Sequence, residues 1–198
     1  MSFKIFISSL CLLFIYVIAD GTEKEVLKSS MHGEDQMQLS SPAFKEGEII
    51  PIKFTCDSFD ISPKISISHV PENAKSLALI CDDPDAPMGI WVHWVIFNLP
   101  SGATELPEGI STEITPIIGN DSTVKVVQGI NDFRRFGYGG PCPPKGSIHR
   151  YYFKLYALDT LLEFDAGQIK KGISADDLSQ KMDGHVVATA QLMGKYKR

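Results

Sequence analysis

The sequence has few positive charges for its length. In 198 residues, 19 Lys and Arg stand against 24 Asp and Glu, which gives a formal net charge of −5. A general nucleic-acid binder needs a basic surface, and so does a peripheral protein held by anionic lipid headgroups. The charge balance therefore argues against both classes. Internal repeats with the period of a solenoid are also lacking, and the four cysteines show no zinc-ribbon spacing.

Hydrophobic runs are scarce beyond the N-terminus. Lys4 precedes an apolar run over 5–18, and small or short side chains follow at Val17 and Ala19. A positive charge, a short apolar core and a small-residue cleavage site are typical of a secretory signal, and the run is short for a membrane span, which needs about 20 apolar residues. The pattern predicts a signal peptide over 1–19 and a periplasmic or secreted protein with no stable membrane span after cleavage. An uncleaved anchor is the alternative.

The remaining chain divides into a polar segment and one domain. Residues 20–36 are rich in charged residues and predict a flexible linker, and 37–198 predict a single globular domain. Cys11 is removed with the signal peptide, which leaves three cysteines at 56, 81 and 142. Because three thiols cannot all pair within one chain, an exported protein would hold one disulfide and one buried or free thiol.

Short β-rich segments between Pro and Gly clusters predict a mainly β domain, an antiparallel β-sandwich with peripheral helices. The predicted strands lie within 49–55, 64–69, 76–81, 91–97, 124–127 and 151–158. The segments 76–81 and 91–97 are apolar on both faces, which is typical of central strands that are covered on two sides.

The C-terminus shows a different periodicity. Apolar residues recur there at steps of three and four, at Leu178, Met182, Val186, Thr189, Met193 and Tyr196. Such spacing predicts an amphipathic helix that covers one face of a sheet. Ser174 is its expected N-cap, because two acidic residues follow in the first turn.

Two segments near the predicted central strands carry polar groups suited to binding. Three carboxylates and two prolines in 82–87 directly follow the first of these strands; taken alone, they are also normal turn residues. His93 lies inside the second, where strict alternation would place Trp91, His93, Val95 and Phe97 on one face. A histidine in such a strand is either a hydrogen-bonded core residue or a binding residue.

A third segment combines a Pro/Gly-rich loop with a polar strand start. The loop 139–146 leaves several backbone N–H groups available, and such groups can line an anion site. The strand after it begins with His149, Arg150 and Tyr151, of which His149 and Tyr151 share a face. The alternative interpretation is a structured turn without a binding role.

Together these motifs resemble the phosphatidylethanolamine-binding protein family, and most closely its bacterial and archaeal Raf-kinase-inhibitor-like branch. The resemblance rests on Asp-Pro-Asp-Ala-Pro at 83–87, on Trp91-Val92-His93, on the loop 140–146 and on His149-Arg150-Tyr151, in that order. The stretches 182–185 and 194–196 also look like that branch, and about 37–198 is covered. One departure lies at 57–61, where relatives often have a Gly-containing turn.

The resemblance implies a β-sandwich with a large and a small sheet and a small surface pocket for phosphate or phosphorylated headgroups. It implies no cofactor and no metal. The ligand-binding residues that it implies are Asp83, Asp85, Pro87, Trp91, His93, Gly140, His149 and Tyr151. A carboxylate beside a histidine favours the imidazolium form, so Asp83 is expected to pair with His93 or His149. Since Cys56 and Cys142 both fall in loops near this pocket, they are the expected disulfide, with Cys81 buried.

Three functions follow from these residues. The first is an exported ligand-binding protein with an anion pocket, which could also regulate or inhibit a partner protein. The second is an envelope inhibitor that binds its partner through its surface. The third is an enzyme, since two histidines and an aspartate could hold a metal or perform acid–base chemistry. No nucleophile-elbow motif occurs, so the sequence favours a binding protein over an enzyme.

Overall fold

The computed structural model describes residues 36–118 and 125–198. The predicted signal peptide, and the predicted linker except for Gln36, lie outside the described residues. In the described part of the chain, no helix is both long enough and apolar enough to cross a membrane.

Eight strands form two antiparallel sheets. The strands are β1 (Gln38–Ser40), β2 (Ile65–Ser68), β3 (Ser76–Asp83), β4 (Trp91–Pro100), β5 (Glu105–Leu106), β6 (Val127–Gln128), β7 (Ile148–Leu158) and β8 (Val186–Lys197). The small sheet has the order β1-β2-β5, and the large sheet has the order β6-β4-β3-β7-β8. The predicted mainly β class with a large and a small sheet is confirmed.

Two hydrophobic cores lie on opposite faces of the large sheet. The first joins Leu77, Leu79 and Cys81 of β3 to side chains of the small sheet, including Ile65. The second joins Ala78 and Ile80, on the opposite face of β3, to two short helices. All eight residues of β3 are buried, which confirms that it is a central strand covered on two sides.

The α-helices within residues 36–118 and 125–198 are α1 (Ala166–Lys171) and α2 (Ala175–Met182). Asp165 and Ser174 are their N-caps, each with a reciprocal capping box, and Ser174 is the residue expected from the sequence. Leu178 and Met182 bury the inner face of α2 against the large sheet.

The predicted C-terminal helix is wrong beyond Met182. Gly184, at φ +77°, lies in the turn that follows α2, and the chain then returns as β8. There Leu192, Gly194 and Tyr196 are buried with a period of two. The pairing of β8 with β7 over almost its full length therefore overrides an apolar spacing that also fits a helix.

The segment predicted as a strand over 49–55 is also different. It contains a 3-10 turn at Ile52–Phe54, and Ile49 makes only an isolated bridge to Lys195. The last predicted strand before β7 is short, Val127–Gln128, and Val124 lies outside the described residues.

Candidate functional site

Three neighbouring strands bring polar groups to one edge of the large sheet. Asp83 is the last residue of β3, Trp91 is the first of β4 and pairs with it, and His149 is the second residue of β7. Because β4, β3 and β7 are adjacent and antiparallel, these positions meet at the same end of the sheet.

A buried hydrogen bond joins two of these residues. The Nδ1 atom of His149 lies 2.7 Å from Oδ2 of Asp83, and the two residues are only 5% and 3% exposed. The second carboxylate oxygen of Asp83 accepts the backbone N–H of Asp85 at 2.8 Å. The carboxylate is therefore fixed, and it holds the imidazole ring so that Nε2 remains for a ligand.

A β-bulge aims His93 toward the same place. Cys81 pairs with Trp94, whereas Asp82 pairs with Val92, so His93 is an extra residue without a partner on β3. The predicted common face of Trp91, His93, Val95 and Phe97 is therefore wrong, because Val95 and Phe97 belong to the core beneath the helices while His93 contacts Tyr151 on the other side.

His93 is held in a defined tautomer. Its Nδ1 lies 2.6 Å from the carbonyl oxygen of Gly139, so Nδ1 carries the proton and donates. Burial lowers the pKa of His93 below 6.5, and this outweighs the opposing effects of the Gly139 carbonyl and the Asp83 charge. Within the described structure, His93 is therefore biased toward the neutral form, with Nε2 as an acceptor.

These groups line one cavity of about 430 Å³. Its polar side chains are Asp83, His93, His149 and Arg198. The other residues of the wall are Ala86, Pro87, Met88, Trp91, Phe133, Cys142, Pro143 and Pro144. The site is thus a mostly apolar recess in which a few charged and hydrogen-bonding groups converge, the usual build of a small-molecule site.

The structure brings together five of the eight expected ligand-binding residues. Asp83, Pro87, Trp91, His93 and His149 line the cavity, and Asp85, Gly140 and Tyr151 do not.

Asp85 and Gly140 hold the loops around the cavity. Asp85 accepts two side-chain hydrogen bonds from Arg150, at 2.9 and 2.6 Å, and these lower the pKa of Asp85 to about 2. The backbone N–H of Gly140 donates to Asp60 at 2.6 Å. A Cβ at Gly140 would lie 2.3 Å from the carbonyl oxygen of Phe54, so no larger residue fits there.

Tyr151 lies behind His93 instead of beside the ligand space. The two rings pack edge to face with centroids 5.1 Å apart. The Tyr151 hydroxyl is buried and finds no hydrogen-bond partner in the described part of the protein. Burial raises the pKa of Tyr151 well above its usual value, and smaller contributions come from the charges of Asp83 and Cys81 and from the Asp83 carboxylate near its hydroxyl.

The structure links Cys56 and Cys142, the pair expected from the sequence, with Cα atoms 5.5 Å apart. Cys142 lies in the cavity wall, and Cys81 is buried as a free thiol. The bridge fastens the segment around Cys56 to the loop 139–146, so two segments distant in sequence form one rim.

Arg198 is a cavity residue that the sequence did not indicate. Its Nε donates to Asp57 at 2.9 Å, and Tyr196 donates to the same carboxylate at 2.8 Å. Asp57, the first residue of the segment 57–61, therefore supplies the carboxylate that positions Arg198. Alternation along a strand would have placed Arg198 on the same face as Tyr196. The sequence predicted a helix in this segment, so that relation was missed.

Phe133 is a second cavity residue that the sequence did not indicate. Its ring packs against Trp91 and His93 with centroids 5.5 and 5.2 Å away. The loop that carries it is held by buried Asn131, whose side chain accepts the Phe133 backbone N–H at 3.0 Å. The segment shows no periodicity, so no local signal marks it.

Among residues 36–118 and 125–198, no group of three or more His, Cys, Asp or Glu side chains is placed to hold a metal ion. What the arrangement offers is a cation at Arg198, two imidazole Nε2 atoms and an apolar wall.

Known proteins are similar to this chain in sequence and in fold. The phosphatidylethanolamine-binding protein family model matches residues 40–197. A UPF0098 protein of Pyrococcus horikoshii is 46% identical over 169 residues, which cover 84% of this chain and 80% of that protein. A UPF0098 protein of Methanothermobacter thermautotrophicus is 48% identical over 164 residues, which cover 82% and 99%.

Two solved structures have a similar fold. A phosphatidylethanolamine-binding protein homologue from Chlamydia trachomatis superposes with a TM-score of 0.70 and 41% identity, covering 83% of this chain and 99% of its own. YbcL of Escherichia coli, described as a new member of the mammalian family, gives a TM-score of 0.71 and 32% identity, covering 82% and 99%. The protein has a ligand-binding β-sandwich fold. It belongs to the phosphatidylethanolamine-binding protein family.

Proposed function

We propose that the protein is an exported ligand-binding protein whose histidine cavity takes phosphate or the phosphate of a small phosphorylated headgroup. The observation that carries the proposal is the buried His149–Asp83 pair beside His93 in the wall of one cavity. With Nδ1 of each ring occupied by a fixed acceptor, Nε2 of each ring is left for the ligand. Nε2 of His93 accepts from a P–OH group while the ring is neutral, and it donates to a phosphate oxygen once the ring is protonated.

The charges of the cavity favour an anion of modest size. The Arg198 guanidinium is always protonated and forms an ion pair with Asp57 through Nε, and its remaining N–H groups can donate to an oxyanion. Both carboxylate oxygens of Asp83 already accept hydrogen bonds inside the protein, from His149 and from the Asp85 backbone N–H. The apolar wall formed by Pro87, Trp91 and Phe133 suits the carbon part of a phosphorylated headgroup.

We propose binding and not catalysis for this cavity. The side chains that line it include no Ser, Thr or Lys among the described residues, and Cys142 is locked in a disulfide. A covalent mechanism would need an activated nucleophile within reach of a base. The lining groups therefore favour binding over covalent catalysis.

Calorimetric titration with inorganic phosphate tests the proposal. His149→Ala should weaken binding by roughly 1.5–3 kcal/mol, the scale of a hydrogen bond to a charged group, and Arg198→Gln should weaken it in the same direction. His185→Ala is the matched control, because His185 also pairs with an aspartate, Asp159 at 2.8 Å, but at an exposed site. Unchanged affinity in both His149→Ala and His93→Ala would show that these histidines are structural.

The pH dependence adds a second readout. An anion beside His93 favours its imidazolium form, so binding should strengthen as the pH falls and protonation becomes easier. Sulfate is the suitable probe, because its own charge does not change between about pH 5 and 8. In His93→Ala, sulfate affinity should depend less on pH. An equally steep pH dependence in that variant would show that a group other than His93 causes it.

Regulation of a partner protein is the second candidate function. Met88 lines the rim of the cavity and is 92% exposed, which is unusual for a large apolar side chain. If a partner contacts this rim, Met88→Ser should lower its recovery in a pull-down while phosphate binding stays intact. If instead His149→Ala alone lowers recovery, the partner depends on the occupied cavity.

A further inference from the structure

The peptide group between Gly139 and Gly140 lies next to His93. The Gly139 carbonyl oxygen accepts the Nδ1–H of His93 at 2.6 Å, and the Gly139 backbone N–H donates to the His93 carbonyl oxygen at 2.8 Å. Gly139 therefore holds both the ring and the backbone of His93. The orientation of this one peptide group decides where the acceptor for the His93 ring lies.

Packing confines the same peptide group on two sides. A Cβ at Gly139 would lie 2.7 Å from the Phe133 ring. A Cβ at Gly140 would lie 2.3 Å from the carbonyl oxygen of Phe54. Because a trans peptide is planar, a hydrogen bond to the Gly140 N–H also fixes the direction of the Gly139 carbonyl.

Asp60 accepts that hydrogen bond from outside the cavity. Its Oδ1 accepts the Gly140 N–H at 2.6 Å, and its Oδ2 accepts a hydrogen bond from Arg135 at 2.6 Å. Arg135 in turn lies over the Phe133 ring, 5.3 Å from its centroid. Asp60 does not line the histidine cavity. Its carboxylate thus joins the segments that carry Gly140 and Phe133 without reaching the ligand space.

The backbone conformation at Asp60 limits which residues can replace it. Its φ of +55° lies in the left-handed region, which Asp and Asn adopt more readily than other non-glycine residues. An asparagine there keeps a side-chain oxygen for the Gly140 N–H but loses the charge. A glycine keeps the backbone conformation and loses both the oxygen and the charge. These two substitutions therefore separate the three contributions of Asp60.

We propose that Asp60 is a positioning residue of the histidine cavity, which acts on His93 through the Gly139–Gly140 peptide group. Its negative carboxylate polarises the peptide through the Gly140 N–H, and this makes the Gly139 carbonyl a stronger acceptor for the His93 ring. His93 is thereby kept with its proton on Nδ1 and with Nε2 left for the ligand. The inference rests on the proposed function where it concerns phosphate affinity.

Each cavity histidine thus has an aspartate behind it. Asp83 bonds directly to His149, whereas Asp60 lies one peptide group away from His93. The other charged or titratable groups around His93 are Asp83, Asp132, His149, Tyr151 and Arg198. None of them is altered when Asp60 alone is replaced, so a change at His93 in such a variant reports on Asp60.

NMR titration of the full chain without ligand tests the role of Asp60. Asp60→Asn removes the charge, so it should lower the pKa of His93 and leave the proton on Nδ1. Asp60→Gly should lower that pKa at least as far, and the Nδ1–H of His93 should exchange with water several-fold faster because the peptide group is no longer anchored. The pKa of His149 should be the same in both variants.

Arg135→Gln is the matched control, because it removes the other partner of the Asp60 carboxylate and leaves the hydrogen bond to Gly140. The pKa of His93 should not fall in this variant, and its Nδ1–H should exchange as in the wild type. Asp60→Asn keeps the test valid if Asp60→Gly does not fold.

Phosphate titration by calorimetry tests the consequence for binding. Asp60→Gly should weaken phosphate binding several-fold, and Asp60→Asn should retain most of the affinity, because it still anchors the peptide group. Absence of phosphate binding by the wild type would overturn the proposed function, whereas the NMR titration decides the role of Asp60 by itself.

Three results would overturn the positioning role. The first is an unchanged pKa of His93 in Asp60→Asn, and the second is an equal shift of the pKa values of His93 and His149. The third is unchanged Nδ1–H exchange in Asp60→Gly, which would show that the carboxylate acts on His93 only through space.

Discussion

Two histidines share the histidine cavity, but different acceptors hold their rings. His149 donates to a carboxylate, whereas His93 donates to the Gly139 carbonyl and is surrounded by the rings of Phe133 and Tyr151. A neutral acceptor stabilises an imidazolium less than a carboxylate does. The two side chains therefore differ in chemistry although they are the same residue type.

His93 should make stability depend on pH. In the unfolded chain it takes up a proton near its ordinary pKa of 6.5, whereas burial lowers that pKa in the folded protein. The unfolded state then binds more protons, so the free energy of unfolding should fall as the pH falls through 6.5 toward the lower folded pKa. Urea denaturation of the ligand-free protein at several pH values measures this.

His93→Gln is the comparison variant for that measurement, because an amide can still donate to the Gly139 carbonyl but does not titrate. Its free energy of unfolding should fall less steeply over the same pH range. Identical slopes in the two proteins would show that folding leaves the pKa of His93 unchanged.

Tyr151 should tolerate loss of its hydroxyl. Because that group is buried and without a partner among the described residues, Tyr151→Phe should leave the free energy of unfolding unchanged or raise it by up to about 1 kcal/mol. Phosphate affinity should stay within a factor of about two, since Tyr151 does not line the cavity.

Tyr138→Phe is the matched control for Tyr151→Phe. The Tyr138 hydroxyl donates to the Phe54 carbonyl at 2.9 Å, and its removal leaves that buried acceptor unpaired. It should cost about 1–2 kcal/mol. If Tyr151→Phe instead abolished phosphate binding without loss of stability, the hydroxyl would be a ligand donor after all.

At the scale of elements, sequence periodicity located the site well where strands alternate regularly. In β7, His149, Tyr151 and Phe153 are all buried on one face, as alternation predicts. In β4 the same rule failed, because a bulge depends on how two strands pair and not on the pattern of either. The bulge residue is His93, so the failure falls at the site itself.

The C-terminal segment shows a second limit. Apolar residues at steps of three and four correctly predict α2, but the same steps continue by chance into β8. Whether such a segment forms a helix or a strand is decided by the partner it can pair with, here β7. Arg198, at the end of β8, was missed for this reason.

The disulfide joins two segments of the cavity rim, so its loss should affect both stability and binding. Cys56 and Cys142 are 86 residues apart, and their bridge should contribute about 2–4 kcal/mol by restricting the unfolded chain. The Cys56→Ala/Cys142→Ala variant should lose that stability and bind phosphate several-fold more weakly, since Cys142 belongs to the cavity wall. Denaturation and calorimetry measure the two effects.

A reducing agent supplies the control for the disulfide. It should weaken phosphate binding by the wild type and have no effect on the double alanine variant, because Cys81 is buried and is not part of the bridge. Equal phosphate affinity in the oxidised and reduced wild type would show that the rim keeps its shape without the bridge.

At the scale of the whole molecule, the large sheet separates two chemistries. On the face toward the small sheet, Arg198 and the two histidines suit an anion. On the face toward the helices, Asp82, Asp132 and Asp176 line a second cavity together with Lys154. Asp82 and Asp83, which are adjacent at the end of β3, lie on these two opposite faces. The overall negative charge of the chain hides this division, which is why composition alone could not reveal it.

The predicted export of the protein can be tested through its disulfide. Residues 1–19 have the pattern of a cleaved signal, and disulfides persist in oxidising compartments. N-terminal sequencing of the native protein should therefore begin at Asp20, and thiol trapping should find Cys56 and Cys142 oxidised. A variant without residues 2–19 should stay inside the cell with both thiols reduced. A dominant native species that begins at Met1 and carries reduced thiols would contradict export, whereas Met1 with an intact disulfide would identify an uncleaved anchor.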